Sequence, residues 1–488
     1  MSIKISHERR IPDRAHLDRI DHLILIAPAR RTRTTYPFAD LIDDRLRTPR
    51  TDKEPVTIDL PNKCATHVSA SRFKVGMSRF ELSELARRHA AAHFSRGARR
   101  VAVLVPEGDE ASYTALVRAV VAALLTTAYS LPHFKSKPGE QERALREIVI
   151  FGAEHRADLR QTVAWADGNN LARELTVLPP NVLTPASYRQ RVARLARRHG
   201  WQMRFLDERA LKRQGAGAFL AVAQGSPTRD AGIVHLRYRP NARTSGTPLA
   251  LVGKGICYDT GGLNLKPAKH MHGMHEDMAG SAVALGTLLA LTQLRYKRPV
   301  DCWLALAQNH IGPRAYQQND VVTACDGTTI EVVHTDAEGR MVLADTLALA
   351  ARTRPALIID FATLTGACIY ALSTRYSGAF TNRRELIEKI IAAGQDSGER
   401  VWPFPMDEDF DRELDSTVAD IKQCTLTGEA DHILAARFLG RFAAGSPWIH
   451  VDLSAASHKG GLGTIASDTT GFGVGFALEM ILDKWVSG

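Results

Sequence analysis

Pro248-Leu-Ala-Leu-Val-Gly253-Lys-Gly-Ile-Cys-Tyr-Asp-Thr-Gly-Gly-Leu-Asn-Leu-Lys-Pro267 is the stretch on which the fold turns. Its first six residues make an unbroken apolar run closing on glycine, the pattern of a strand buried on both faces of a largely parallel sheet. Read this way, the strand ends at Gly253. Lys254, Asp259 and Lys266 then lie beyond its carboxyl end, where open α/β sheets place their sites. Asp301-Cys-Trp-Leu-Ala-Leu-Ala307 and Ala356-Leu-Ile-Ile-Asp-Phe361 repeat the buried-strand pattern, and 279–294 and 340–353 carry helical spacing.

Working outward, the first part of the chain alternates the same way with shorter elements. Apolar runs at His22–Ala27, Val101–Val105 and Glu147–Phe151 are separated by helical stretches at Ser78–Ser95 and Glu110–Leu125. A polar helical stretch follows, ending at Leu178-Pro-Pro-Asn-Val-Leu-Thr-Pro185, where paired prolines cannot continue a helix. A chain of 488 residues is too long for one core. The reading is therefore α/β throughout: a smaller N-terminal α/β domain over 1–160, a linker helix and hinge over 161–185, and a larger α/β domain over 186–488 with a mixed central sheet, which carries the chemistry.

Composition removes several classes. Hydrophobic residues at 44% and charged residues at 24% are ordinary for a globular protein. No run of about 18 uncharged apolar residues exists, so no membrane-spanning helix is expected. The polar start, Met1–Arg10, lacks the apolar core of a secretory signal. Six cysteines, Cys64, Cys257, Cys302, Cys325, Cys368 and Cys424, show no paired spacing, which suits a reducing compartment, hence the cytoplasm. The net charge of +10 comes largely from arginine clusters such as Ala29-Arg-Arg-Thr-Arg33, Arg96-Gly-Ala-Arg-Arg100 and Arg194-Leu-Ala-Arg-Arg198. They lack the interleaved aromatics of a nucleic-acid platform and read as solvated helix faces.

Carboxylates and lysines concentrate in three segments: Val252–Pro267 above, Met274-His-Glu-Asp-Met-Ala-Gly-Ser-Ala282, and His334-Thr-Asp-Ala-Glu-Gly-Arg-Met-Val-Leu-Ala-Asp345. In Asp336-Ala-Glu338 the carboxylates alternate with alanine, so in extended chain both project to one side. Massed carboxylates repel and raise one another's pKa unless cations lie between them. Asp259, Asp277, Asp336 and Glu338 offer about the charge two divalent ions need, and hard oxygen donors with a nitrogen suit Zn²⁺, Mn²⁺ or Mg²⁺. Any one segment alone could be a helix cap or an ion pair; three within so short a span speak against that.

These segments resemble the signature of the leucyl aminopeptidase family, the M17 peptidases. Thr335-Asp-Ala-Glu-Gly-Arg340 looks like the family's diagnostic motif, except that the preceding position, usually Asn, is His334. The likeness extends over the second half of the chain, through Gly217-Ala-Phe-Leu-Ala-Val-Ala223 and Asp360-Phe-Ala-Thr-Leu-Thr-Gly-Ala-Cys368. It implies an aminopeptidase that releases N-terminal residues, leucine-type first, from peptide substrates by two-metal hydrolysis. One ion would be held by Lys254, Asp259, Asp277 and Glu338, the other by Asp259, Asp336 and Glu338, with Lys254 bound as a neutral amine. Lys266 would stabilise the oxyanion, and Arg340 would hold a bicarbonate acting as general base. The resemblance also implies a homo-hexamer, and a pocket for the first residue lined partly by Met274, Thr363 and Gly366. Some relatives bind DNA, so a DNA-binding regulator on the same fold is the rival reading.

Other features carry less. His270, His272 and His275 resemble a transition-metal cluster but fall in the loop before the Asp277 segment. His450-Val-Asp452 places both side chains on one strand face, as a structural His–Asp hydrogen bond would. Gly253-Lys-Gly255 lacks the spacing of a phosphate loop.

Overall fold

The computed structural model describes residues 3–28, 36–47, 55–74, 76–106, 109–137, 145–152, 156–240 and 246–485. The basic run Ala29–Arg33 lies outside them. The chain forms two compact units: Met1–Ala166 with Lys459–Asp468, and Asp167–His458 with Thr469–Gly488. Among the described residues no helix is long and apolar enough to cross a membrane.

The first unit is built on a six-stranded sheet in the order Lys4–Glu8, Glu147–Phe151, Arg100–Leu104, His22–Pro28, His67–Phe73, Val56–Asp59. Its pairings are parallel except the last, where Val56–Asp59 runs antiparallel to His67–Phe73. The expected helices are present with clear start signals. Ser78 and Glu81 form a reciprocal capping box at the head of Arg79–Phe94. Asp109 caps Glu110–Thr127 by accepting from the Ser112 amide.

The second unit centres on a mixed eight-stranded sheet: Val401–Pro403, Ser377–Thr381, Trp448–Asp452, Leu357–Ala362, Leu249–Asp259, Val300–Asn309, Gly232–Tyr238, Gln202–Asp207. The middle four strands are parallel, which explains their unbroken apolar sequences. One expectation fails. The strand opening at Leu249 does not stop at Gly253; it runs on through Lys254 and Gly255 to Asp259. Gly253 is there for packing, since a Cβ at this position would come within 2.4 Å of the Ser281 Cα on the helix Ala279–Gln293. Lys254, one residue on, points to the other face. There its aliphatic stem crosses Gly339 of the helix Glu338–Ala351, where a Cβ would meet the Lys254 Cε at 2.6 Å. A lysine in mid-strand is thus pinned between two glycine contacts, and its ammonium is carried toward the carboxyl end of the sheet.

Candidate active site

Asp259 ends the long central strand, Lys266 follows in the next loop, and Asp277 closes a single 3-10 turn ahead of the helix Ala279–Gln293. The third segment departs from expectation. Asp336 lies in a turn and Glu338 is the first residue of the helix Glu338–Ala351, so the two carboxylates do not alternate along a strand. They converge because the chain turns there: the Ala337 amide donates back to the His334 carbonyl at 3.1 Å.

These segments meet in one cavity of about 810 Å³. Its walls include Lys254, Asp259, Lys266, Asp277, Asp336 and Glu338, with Arg340 beside them. Carboxylate oxygens of Asp259, Asp336 and Glu338 lie within 4.8 Å of one another. Lys254 Nζ donates to Asp277 Oδ1 at 2.8 Å, Glu338 Oε1 at 2.9 Å and the Thr363 carbonyl at 3.0 Å. Lys266 Nζ bridges Asp259 Oδ2 at 2.9 Å and Asp336 Oδ1 at 2.5 Å.

Crowding and burial govern the electrostatics. Burial pushes Asp336 up to about 7, with Glu338 and Asp259 adding repulsion against the pull of Lys266. Burial likewise raises Glu338 and Asp277, in both cases against the pull of Lys254. The lysines shift up as well: burial alone would depress Lys254, but Asp277, Glu338 and Asp259 outweigh it. Lys266 is raised in the same way by Asp259, Glu338 and Asp336. Each group therefore resists losing positive charge from the cluster. Even with both ammonium groups in place, Asp277 Oδ2 and Glu338 Oε2 remain buried without a hydrogen-bond partner. A native interior rarely leaves carboxylate oxygens in that state. The donor set fits hard divalent cations.

Surrounding residues fix this geometry, and no local sequence signal announces them. Asp259 Oδ1 accepts from the Gly261 amide at 2.8 Å and Asn309 Nδ2 at 2.9 Å, which leaves Oδ2 facing the cluster. Tyr316 Oη and Asn309 Nδ2 both donate to the Thr335 carbonyl, at 2.6 and 3.0 Å, steadying the turn that presents Asp336. Thr363 Oγ1 donates to Asp277 Oδ1 at 2.7 Å. Arg340 is buried, its Nη1 donating to the Gln423 carbonyl at 2.9 Å and its Nη2 to Asp431 Oδ1 at 2.7 Å.

The secondary features resolve differently. His450 does not pair with Asp452. Its Nδ1 meets Asp360 Oδ1 at 2.6 Å, because Asp360 stands opposite it on the neighbouring parallel strand. Asp452 instead accepts from Thr365 Oγ1 at 2.6 Å and lines the cavity. Of the three histidines near Asp277, His270 reaches the cavity wall, as do Met274, Thr363 and Gly366. His334 lines it too, its Nδ1 accepting from the Asp336 amide at 3.3 Å.

Fold and site together define a metal-dependent hydrolase. The model of the cytosol aminopeptidase family catalytic domain matches residues 170–478. A probable cytosol aminopeptidase of Stutzerimonas stutzeri is 40% identical over 356 residues, covering 71% of this chain and 70% of its own. The one from Syntrophotalea carbinolica is 38% identical over 372 residues, covering 75% and 74%. Among solved structures, a variant of tomato leucine aminopeptidase superposes with a TM-score of 0.86 at 27% identity, covering 99% of this chain and 96% of its own. The bottromycin maturation enzyme BotP in complex with Mn superposes with a TM-score of 0.81 at 30% identity, covering 95% and 99%. The chain belongs to the cytosol aminopeptidase family, and its activity is that of a metal-dependent aminopeptidase acting on peptides.

Proposed function

We propose that Lys254, Asp259, Asp277, Asp336 and Glu338 hold two divalent ions, Mn²⁺ or Zn²⁺ with Mg²⁺ as a weaker substitute, and that leucine-type residues are released first. The observation that carries this is the pair of buried carboxylate oxygens, Asp277 Oδ2 and Glu338 Oε2, left without partners inside a cluster that already holds two ammonium groups. When bound, such ions supply water acidified to near neutral pH and polarisation of the peptide carbonyl.

The chain's own residues do the rest. Glu338 stands between Lys254 and the Asp259–Asp336 group, so it serves both ion positions. Asp259 is restrained through Oδ1 and offers Oδ2. Lys254 is an ammonium among carboxylates here and would release its proton to become a ligand, as dications favour. Lys266 remains charged and supplies positive charge to the carbonyl oxygen as the tetrahedral centre forms. Met274, Thr363 and Gly366 shape the wall that receives the first side chain.

We place the enzyme in the cytoplasm as a homo-hexamer, on the family resemblance and the name its relatives carry. Nothing in those relatives' names favours the DNA-binding alternative. The test is hydrolysis of a panel of aminoacyl amides by metal-free protein, with Mn²⁺ or Zn²⁺ restored, alongside a count of bound ions. Two ions per chain and fastest release of leucine are expected; full activity in the metal-free protein overturns the reading.

A further inference from the structure

The family resemblance gives Arg340 a bicarbonate to hold, and its surroundings do not suit one. A bidentate anion needs guanidinium N–H groups free of competing charge. Here Nη1 donates to the Gln423 carbonyl and Nη2 to the Asp431 carboxylate, so the buried Nε, which has no partner, lies beside an Nη2 that already holds a carboxylate. A second anion on the same guanidinium would stand close to the Asp431 carboxylate and be repelled by it. Asp431 also has a location that a purely structural partner for a buried arginine does not need. It lies at the wall of the cavity that holds the carboxylate cluster, with its side chain 24% exposed while Arg340 is buried. The backbone is bent to put it there: Ala430, immediately before it, has φ 51° and ψ 26°, a left-handed conformation that a non-glycine residue adopts only at a cost. Strain retained next to a cavity-facing carboxylate is an observation from which function can be argued.

We propose that Asp431 is a catalytic carboxylate, standing where relatives would use an added anion. Arg340 holds Oδ1 and so keeps the group aimed. As the attacking water forms its C–O bond, one of its O–H bonds breaks and that proton passes to the Asp431 carboxylate. When the C–N bond breaks, the same proton goes from Asp431 to the departing amine nitrogen. The carboxylate is regenerated, and the reaction consumes only water and peptide.

The proposal rests on the metal-site reading above, and the experiment separates the two. Wild-type and variant proteins are loaded with Mn²⁺, their ions counted, and kcat and KM for an aminoacyl amide measured in carbon-dioxide-free buffer with and without added bicarbonate or formate. Wild type should be indifferent to either anion. Asp431→Ala should keep both ions and its KM but lose about 10²-fold or more in kcat, the usual weight of general acid–base catalysis. Added bicarbonate or formate should restore part of that loss by filling the vacated place. Asp431→Asn should lose rate without rescue, because its amide still occupies the position. Wild-type dependence on bicarbonate overturns the proposal. So does an Asp431→Ala variant that is undiminished, sheds its ions or cannot be rescued. Failure of the metal-site reading would show separately, as wild-type protein that binds no ions.

Discussion

Each unit buries a cluster of titratable side chains, and the two are built on opposite principles. In the first unit His22, His89 and His93 pack with Ser69 and Ser71. His22 Nδ1 meets His93 Nδ1 at 2.9 Å, and Ser69 Oγ links His93 Nε2 at 2.8 Å to His89 Nδ1 at 2.6 Å. Ser71 Oγ closes the run on His89 Nε2 at 2.8 Å. A neutral imidazole offers one donor and one acceptor, and a hydroxyl can both donate and accept, so this chain satisfies itself. In the second unit the carboxylates can only accept, two ammonium groups do not suffice, and oxygens remain unpaired. A closed polar cluster is architecture; an open one is waiting for a ligand. His89 and Glu338 are both almost fully buried, so burial alone would not have told the two clusters apart.

The sharpest way to break that contrast is to empty the open cluster. Glu338→Ala removes the carboxylate proposed to serve both ions, so activity should vanish and bound metal fall. It also leaves the buried Lys254 short of a partner, a loss that typically costs 3–5 kcal/mol. Two bound ions with normal turnover in this variant would mean that Glu338 is not a ligand. Lys266→Ala should be milder, because the role proposed for it is charge rather than ligation. Both ions should stay while kcat falls by about 10²–10³, the usual weight of one oxyanion donor. A wild-type rate, or a lost ion, would dissolve that division of labour.

Much of this contrast can be traced in the sequence, and the parts that cannot share one cause. Lys254, Asp259, Lys266, Asp277, Asp336 and Glu338 stood out because charge embedded in apolar chain is conspicuous. What was misread depended on contacts distant in sequence. Gly253 looked like a strand end because a glycine that admits a crossing helix is indistinguishable, locally, from one that makes a turn. Asp336-Ala-Glu338 looked extended, whereas the following helix begins at Glu338. His450 looked paired with Asp452, yet strand register delivers Asp360. Asp431 carried no local signal, since its meaning comes only from Arg340, far away along the chain.

The closed cluster makes its own test through acid. Burial lowers His89 to about 3 and His93 well below the ordinary imidazole value of 6.5. Above pH 6.5 both folded and unfolded states leave these rings neutral, and stability is unaffected. As pH falls below 6.5 the unfolded chain takes up protons that the folded unit refuses, so stability declines by roughly 1.4 kcal/mol per pH unit for each such ring. Between pH 7 and pH 5 that amounts to about 2 kcal/mol for His89. His89→Gln cannot titrate and should shrink the fall in urea midpoint over this range, although its starting stability will be lower. An unchanged pH slope would show that His89 is not held neutral by its surroundings.

His334 sits at the margin between the two kinds of cluster, and its replacement should matter least. It stands where the family's motif usually has Asn, against the turn that presents Asp336. Its Nδ1 accepts the Asp336 amide at 3.3 Å, a side-chain-to-backbone bond two residues along the chain. That is the bond an Asn carbonyl makes in an Asx turn, so imidazole and amide can do the same local work. Its own backbone amide is held independently by Gln423 Oε1 at 3.0 Å. Burial, with Lys266 nearby, lowers its pKa, so the ring is neutral and adds no charge beside the carboxylates. His334→Asn should therefore keep both ions and the fold, and change kcat by no more than a few-fold. The larger consequence would be steric, since the smaller amide opens that stretch of the cavity wall. Loss of a bound ion in His334→Asn, measured by metal analysis, would make His334 a ligand and move it into the open cluster.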